Sequence, residues 1–468
     1  MKIRFVTLGC KLNFAESSAI GKALLEKGHT RAKQGEEADI CVINTCSVTD
    51  NADHKDRQAI HRIKRQNPNA IIIVTGCYAQ LQPQQVSEIE GVDYVLGQNE
   101  KYDIPALVER LESDAAKAAI GRSQGELLAI GERREARGDE TMRRKGEIYV
   151  CAIREVEEFH GVHSGDDRTR CFIKVQDGCN YFCTYCTIPY ARGKSRNPLI
   201  SEIIKDAQQA LAQGAKELIL TGVNIGDFGR STGETFLALL RALDSLEDGV
   251  PPIGRSQSEL QVKGERLEAK GMDYRIRISS CEPNLLTDEI IDFVAQSKHF
   301  APHFHIPLQS GSNEVLKIMG RRYTRELFEE RIKHIKQVMP YAFIGVDCMV
   351  GVRGEKEEYF EEYIEFIKRL DVSQLHVFTY SERANTKMLE LDVCIVPKAE
   401  RQHRSKVLHA ISEEKTKKFY EQNKGREAVV LWESKKEGDM MAGFTENYVK
   451  VHRPYDKKKV NCFEKIKI

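Results

Sequence analysis

Six of the thirteen cysteines stand where their thiolates could share metal, and they do so in two different ways. In DGCNYFCTYCTIPYARGKSR, residues Cys179, Cys183 and Cys186 fall within eight positions of one loop. A loop this tight can wrap a single iron-sulfur cubane, each thiolate taking one iron. The fourth iron then lacks a protein ligand, and a metal with an open position can chelate the amino and carboxylate groups of a methionine-type molecule. The competing reading is a structural zinc site, which normally closes with four Cys or His ligands. No fourth ligand lies at the usual short spacing.

The other set is dispersed. Cys10 follows IRFVTLG, Cys46 follows DICVINT and Cys77 follows IIIVTG, so each sits just past a β-rich run. The separations, 36 and 31 residues, each correspond to one strand-helix-strand step. Parallel pairing brings all three to the same sheet edge, which predicts a second three-thiolate site. Three structural cysteines at equivalent strand ends are the alternative. Cys41 lies inside its strand and reads as a buried thiol. Cys151, Cys171, Cys281, Cys348, Cys394 and Cys462 show no ligand spacing and read as packing or surface thiols.

These positions need a scaffold. Strand-like runs at 3–8, 39–44 and 71–75 alternate with helical composition at 15–27 and 50–66, which predicts a βαβαβ parallel sheet. Gly28 closes the first helix and Pro68 follows the second. Six further strands are expected at 171–176, 217–221, 274–279, 303–308, 343–350 and 374–379, with helices such as 201–213, 324–338 and 356–370 between them. That pattern predicts an open, partial (βα)6 barrel whose reactive groups sit at the carboxyl ends of the strands. A basic helical stretch at 398–424 leads into short strands, AVVLW and YVKV among them, that read as a small β module.

The expected fold class is therefore α/β. It comprises an N-terminal parallel-sheet domain over 1–115, a linker or insertion over 116–166, the barrel over 167–395 with an insertion at 252–272, and a basic helix with a small β-barrel over 396–468. GRSQGELLAIGERREARG at 121–138 recurs as GRSQSELQVKGERLEAKG at 254–271 with twelve of eighteen positions identical. Two copies are too few for a solenoid and read as one polar helical element inserted twice into tolerant loops.

At 468 residues the chain can hold two to four domains at about 150 residues each. With 71 Lys and Arg against 70 Asp and Glu, overall charge argues neither for nor against a nucleic-acid partner. Residues 424–468, with eleven Lys and Arg against seven Asp and Glu, are locally basic. The opening MKIRFVTLGCKLN lacks the apolar stretch of a signal peptide, and no run reaches the roughly 18 apolar residues that span a bilayer. A cytoplasmic protein with no membrane partner is expected, with thiols reduced and available to metal.

The cysteine loop, placed after a barrel's first strand, resembles the radical S-adenosylmethionine enzymes, and nearly the whole chain resembles their methylthiotransferase family. LGCKLNFAES, NTCSVTDNADHKDRQ, VTGCYAQ, TGVNIGDFG and HIPLQSGS look like the branch acting on N6-threonylcarbamoyladenosine next to the tRNA anticodon. The isopentenyladenosine branch usually reads GCQMN and HLPVQSG, and the branch modifying a ribosomal protein reads GCPKN. The sequence departs from the family where VGFPGE becomes VGVRGE at 350–355 and a YSxRxGT segment becomes YSERANT at 380–386. Neither change touches a cysteine of the two sets.

The resemblance implies two 4Fe-4S clusters, one on Cys179, Cys183 and Cys186 and one on Cys10, Cys46 and Cys77. It implies a C-terminal TRAM domain that binds RNA, and two S-adenosylmethionine molecules per product. One would yield a 5′-deoxyadenosyl radical that activates the adenine C2–H bond, which is neither acidic nor attached to a leaving group. Sulfur would be held and methylated at the N-terminal cluster, the two open irons facing each other. Tyr185, Gly222, Ser279 and Gln309 are candidate S-adenosylmethionine contacts, each weighed against ordinary packing, a turn or backbone hydrogen bonding. Arg192, Lys194 and Arg196 either meet phosphates or the carboxylate of the modified base, or form a solvated basic loop. Implied partners are tRNA carrying threonylcarbamoyladenosine and a low-potential electron donor such as flavodoxin or ferredoxin. Two alternatives stay open: the same chemistry on isopentenyladenosine or a ribosomal-protein aspartate, and a zinc-stabilised RNA-binding protein without catalysis.

Overall fold

The computed structural model of the chain describes residues 1–33, 35–123, 145–164, 169–246 and 274–468. It divides into two compact units, Met1–Val156 with Tyr190–Gly193, and Glu157–Pro189 with Lys194–Ile468.

The first unit is built on six parallel strands: β1 (Lys2–Thr7), β2 (Thr30–Arg31), β3 (Ile40–Thr45), β4 (Ile71–Gly76), β5 (Tyr94–Leu96) and β6 (Glu147–Tyr149). Their order is β2-β1-β3-β4-β5-β6. All of β3 is buried, as expected of a parallel strand covered on both faces. Cys41, Ile43, Ile72 and Val74 fill one core, while Ile40, Val42 and Ile73 alternate into another with Ile20, Leu24 and Leu107. Sequence reading found the three longest strands within a residue or two at each end. It missed β2, β5 and β6, which are two or three residues long and too short to show a period. β6 falls in the stretch read as linker.

The helix Asp50–Gln66 follows β3. The Thr49 side chain accepts a hydrogen bond from the Ala52 N–H, Asp50 and Asp53 stand in the first turn, and Lys64 and Arg65 in the last. Both ends thus satisfy orphaned backbone groups and complement the helix dipole.

The second unit carries the six barrel strands: β7 (Arg170–Lys174), β8 (Glu217–Thr221), β9 (Arg275–Ile278), β10 (His303–Gln309), β11 (Phe343–Val350) and β12 (Gln374–Thr379). They form two parallel three-stranded sheets, β7-β8-β9 and β10-β11-β12, linked by parallel bridges Ile276–Phe300 and Ser280–His305. Helices Ile200–Ala212, Phe236–Asp244, Asp288–Gln296, Arg325–Val338 and Glu357–Arg369 cover the outer face, and their apolar residues close a continuous core with the strands. This is the partial (βα)6 barrel the sequence predicts.

After the helix Lys398–Asn423, four antiparallel strands, β13 (Glu427–Glu437), β14 (Met440–Thr445), β15 (Lys450–Pro454) and β16 (Phe463–Lys467), form a curled sheet in the order β15-β14-β13-β16. It docks on the amino ends of the barrel strands. Arg170, Glu217 and Arg275 are the first residues of β7, β8 and β9, and the guanidiniums of Arg275 and Arg277 reach the carbonyls of Phe444 and Glu446 at 3.4 Å. Burial alone would raise the Glu217 carboxyl, but Arg275, Arg277 and Arg170 hold it below the usual carboxylate range. His303, Phe343, Phe419, Phe444 and Tyr448 stack beside this joint.

The two related stretches lie outside the described residues, except 121–123, which end the helix Ile104–Ser123. The insertion at 252–272 also lies outside them.

Candidate metal and cofactor sites

In the second unit the cysteine loop starts where β7 ends and is closed at its base. Asp177 and Arg196 exchange backbone hydrogen bonds of 2.9 Å, and the Asp177 carboxylate accepts from Lys174 at 2.7 Å and Arg196 at 3.1 Å. Gln176 bonds inward to the carbonyls of Asp177 and Gly178, while its Oε1 accepts the N–H groups of Val223 and Asn224. Gly178 (φ +66°) turns the chain into the ligand loop. Each sulfur is met by one N–H donor: Tyr181 N at 3.5 Å from Cys179 Sγ, Ile188 N at 3.4 Å from Cys186 Sγ and Arg321 Nη1 at 3.3 Å from Cys183 Sγ. Such hydrogen bonds orient cluster thiolates and tune cluster potential.

In the first unit, β1, β3 and β4 end in register, with Thr7 opposite Asn44 and Thr45 opposite Gly76. Cys10, Cys46 and Cys77 therefore emerge from one edge. Two glycines make the approach possible. A Cβ on Gly9 (φ +96°) would stand 2.7 Å from Cys46 Cβ, and one on Gly76 (φ +100°) would stand 2.3 Å from the Thr45 carbonyl. Asn13 ties the strand ends by donating to the carbonyls of Leu8 and Thr45.

A buried polar chain surrounds these sulfurs. Gln98 donates to Cys77 Sγ at 3.4 Å and accepts from Lys101; Lys101 pairs with Glu16 at 2.7 Å; Glu16 pairs with Arg192 at 2.9 Å; Arg192 donates to Asn13, which faces Cys10. Arg192 is thus buried and engaged in the first unit, not available to a phosphate and not part of a solvated loop. Arg196 is likewise committed to closing the cysteine loop. Of the three basic candidates only Lys194 is exposed. Their neighbours are distant in sequence, which is why the sequence left them open.

Burial, with smaller contributions from neighbouring groups, pushes these thiols up: Cys179 to about 11, Cys186 to about 12, and Cys183 also above its ordinary value. Burial, then the charges of Cys77 and Cys10, pushes Cys46 to about 12, and burial raises Cys77. Such thiols stay neutral at neutral pH unless a bound cation balances the thiolate, so they suit metal ligation better than nucleophilic chemistry. Among the described residues, the one trio of Cys, His, Asp or Glu whose ligand atoms all lie within 4.8 Å of one another is His305, Asp347 and His376.

The barrel mouth also fits a polar cofactor. Ser279 follows β9 and Gln309 ends β10; Ser279 Oγ and Gln309 Oε1 are buried without a hydrogen-bond partner within the protein. Gln309 holds φ at +65°, a strained conformation of the kind that clusters at ligand sites. Gly222 packs so closely that a Cβ would meet the Gln176 carbonyl at 2.8 Å. Tyr185 lies 3.4 Å from Arg321 by its hydroxyl and packs beside Met319, Val352 and Met388. Arg321 also pairs with Glu282, and sequence reading missed both because they reach the loop from segments distant in the chain.

Two family models match separate stretches of the chain. Residues 2–97 match Uncharacterized protein family UPF0004, and residues 173–367 match the Radical SAM superfamily. The chain is 35% identical to the threonylcarbamoyladenosine tRNA methylthiotransferase MtaB of Aquifex aeolicus, covering 97% of each chain. It is 29% identical to a tRNA-2-methylthio-N(6)-dimethylallyladenosine synthase of Fusobacterium nucleatum, over 95% of this chain and 91% of that protein. Among solved structures, the radical S-adenosylmethionine methyltransferase TsrM of Kitasatospora setae, with cobalamin and a 4Fe-4S cluster bound, shares the fold at TM-score 0.51 and 15% identity, over 83% of this chain and 76% of that one.

Proposed function

The chain belongs to the threonylcarbamoyladenosine tRNA methylthiotransferase family of radical S-adenosylmethionine enzymes, and from that premise we propose that it replaces the C2 hydrogen of N6-threonylcarbamoyladenosine in tRNA with a methylthio group. The observation that carries this reading is the pair of three-cysteine sites, one in a barrel loop and one at a sheet edge, each short of the four protein ligands that would close it. When bound there, two 4Fe-4S clusters would supply the electron that cleaves S-adenosylmethionine and an iron position that holds the sulfur.

The protein's own share is to hold, orient and shield. Cys179, Cys183 and Cys186 would ligate one cluster, with the N–H groups of Tyr181, Ile188 and Arg321 directing the thiolates. Cys10, Cys46 and Cys77 would ligate the other, supported by Gln98 and Asn13. Ser279, Gln309, the backbone at Gly222 and the Tyr185 ring would meet S-adenosylmethionine at the carboxyl ends of the barrel strands. Lys194 is left as the basic side chain of that loop free to meet an anion.

The domain reading follows the same division: an N-terminal cluster domain over 1–115, a connecting segment over 116–166, the barrel over 167–395 and a TRAM-like module over 396–468. The last would contact tRNA through backbone phosphates, giving affinity that falls steeply with salt. A flavodoxin or ferredoxin would deliver the electron, and the reaction would take place in the cytoplasm. No helix among the described residues is long and apolar enough to cross a membrane.

Anaerobic reaction of cluster-loaded protein with purified tRNAs tests the proposal. Mass spectrometry of the nucleosides should find methylthio product on threonylcarbamoyladenosine tRNA. Product confined to isopentenyladenosine tRNA would reassign the substrate, and a colourless protein carrying zinc without iron would remove the chemistry.

A further inference from the structure

The cysteines and the S-adenosylmethionine candidates do not exhaust the polar groups of the barrel. Along β10, Phe304, Ile306 and Leu308 are buried in the apolar core, as are Ile344, Val346, Cys348 and Val350 of β11 and Leu375 of β12. Side chains alternate along a strand, so His305, Asp347 and His376 stand on the opposite face, which lines the barrel interior. The register pairs Asp347 directly with His376 and places His305 opposite Gly345, two residues before Asp347. Three neighbouring strands thus each send one ligating side chain to the same point.

The ligand atoms there lie close enough together to share one ion. His305 Nε2 lies 2.6 Å from Asp347 Oδ1, His376 Nδ1 lies 3.3 Å from the same oxygen, and the two ring nitrogens are 3.2 Å apart. Three ligands at right angles on an ion with bonds of about 2.1 Å would be separated by about 3.0 Å. Two observed edges lie slightly above that value and one, at 2.6 Å, below it. Two imidazoles and one carboxylate on one face of an ion form the 2-His-1-carboxylate set, which leaves further positions open. The side chains are 21%, 16% and 36% exposed, so the open side faces the lumen and not the packed core. Glu282 adds a negative charge near Asp347, itself paired with Arg321.

We propose that His305, Asp347 and His376 bind one divalent first-row transition-metal ion inside the barrel, separate from any cysteine-bound iron, with its open positions taking oxygen donors such as water or a carboxylate. Imidazole and carboxylate suit such ions, while the thiolates of the cluster sites select softer chemistry. The site stands on its own geometry and not on the identity of the nucleoside substrate.

The test uses full-length, cluster-loaded protein titrated anaerobically with Mn²⁺, a hard ion with little affinity for thiolate. The free ion is followed by electron paramagnetic resonance. One ion per chain should bind, and electron spin-echo modulation of the bound ion should show two imidazole nitrogens. Asp347→Asn and the paired change His305→Gln with His376→Gln should each weaken binding about tenfold or more, since losing a ligand is at least as severe as losing a supporting contact. Iron content of the variants reports whether the cysteine sites are intact. Wild-type protein that leaves the ion free, or binds it without imidazole modulation, would overturn the assignment. So would variants of normal iron content that bind Mn²⁺ unchanged. Because the readout is ion binding, its failure would leave the methylthiotransferase reading untouched, and the absence of methylthio product would leave this site untouched.

Discussion

The two cysteine sites reach the same ligand count by opposite routes. Cys179, Cys183 and Cys186 are neighbours in the chain, and their loop is shaped by short-range hydrogen bonds from Gln176, Asp177 and Arg196. Cys10, Cys46 and Cys77 are brought together by the parallel register of three strands and by the absence of side chains on Gly9 and Gly76. The first site is a property of a sequence segment and the second is a property of a fold. Perturbing the sheet should therefore spoil one site and spare the other.

The largest effect should come from a loop ligand. Cys183→Ala is expected to lower methylthio formation by about a thousandfold or more, because removing a cofactor ligand removes the chemistry and not only its tuning. Iron analysis should find the sheet-edge cluster retained. Next comes the buried charge set of the first unit. Glu16 is fully buried between Lys101 and Arg192, so Glu16→Gln leaves two cations without their carboxylate and should destabilise that unit by about 3–5 kcal/mol. Differential scanning calorimetry would detect this as an earlier transition of the first unit with that of the second unmoved; equal shifts in both would break the contrast.

Gly76→Ala probes the same contrast through the backbone. A residue held at φ +100° costs about 1–3 kcal/mol when it carries a Cβ, and here the Cβ also meets the Thr45 carbonyl. Iron bound at the sheet edge should fall while the loop cluster persists, which Mössbauer spectroscopy of selectively loaded protein can separate.

The last effect concerns pH and is read as a slope. Asp56 accepts the Cys46 N–H at 3.0 Å, and burial pushes its carboxyl up to about 8. An acid with a raised folded-state pKa is protonated in the fold while the unfolded chain is ionised. Stability of the metal-free protein should thus fall as pH rises from about 4 to about 8, by at most about 1.4 kcal/mol per unit. Asp56→Asn should flatten that slope in urea titrations. An unchanged slope would show that Asp56 is not the titrating group.

The contrast between the sites also governs what the sequence could tell. The loop cysteines are visible in eight residues, and the sheet cysteines are visible because each follows a long apolar strand, so the period of the strands marks the ligands. Strands β8, β11 and β12 were legible to the residue, since a strand of five to eight residues bounded by turns has few alternative readings. β2, β5 and β6 were not, being too short. Arg192, Gln98 and Arg321 were hidden for another reason: each supports a sulfur more than a hundred residues away or across a strand crossing, and no local pattern encodes such a meeting. His305, Asp347 and His376 are the same case. Each looks like an ordinary polar residue in its own strand, and only the register of three strands makes them a set.

The most direct measurement follows the two products separately in protein whose sites are removed one at a time. Anaerobic protein with Cys10, Cys46 and Cys77 changed to alanine should still cleave S-adenosylmethionine to 5′-deoxyadenosine but form no methylthio nucleoside, whereas protein lacking Cys179, Cys183 and Cys186 should do neither. Methylthio nucleoside from the first variant, or 5′-deoxyadenosine from the second, would contradict the division of labour between the sites.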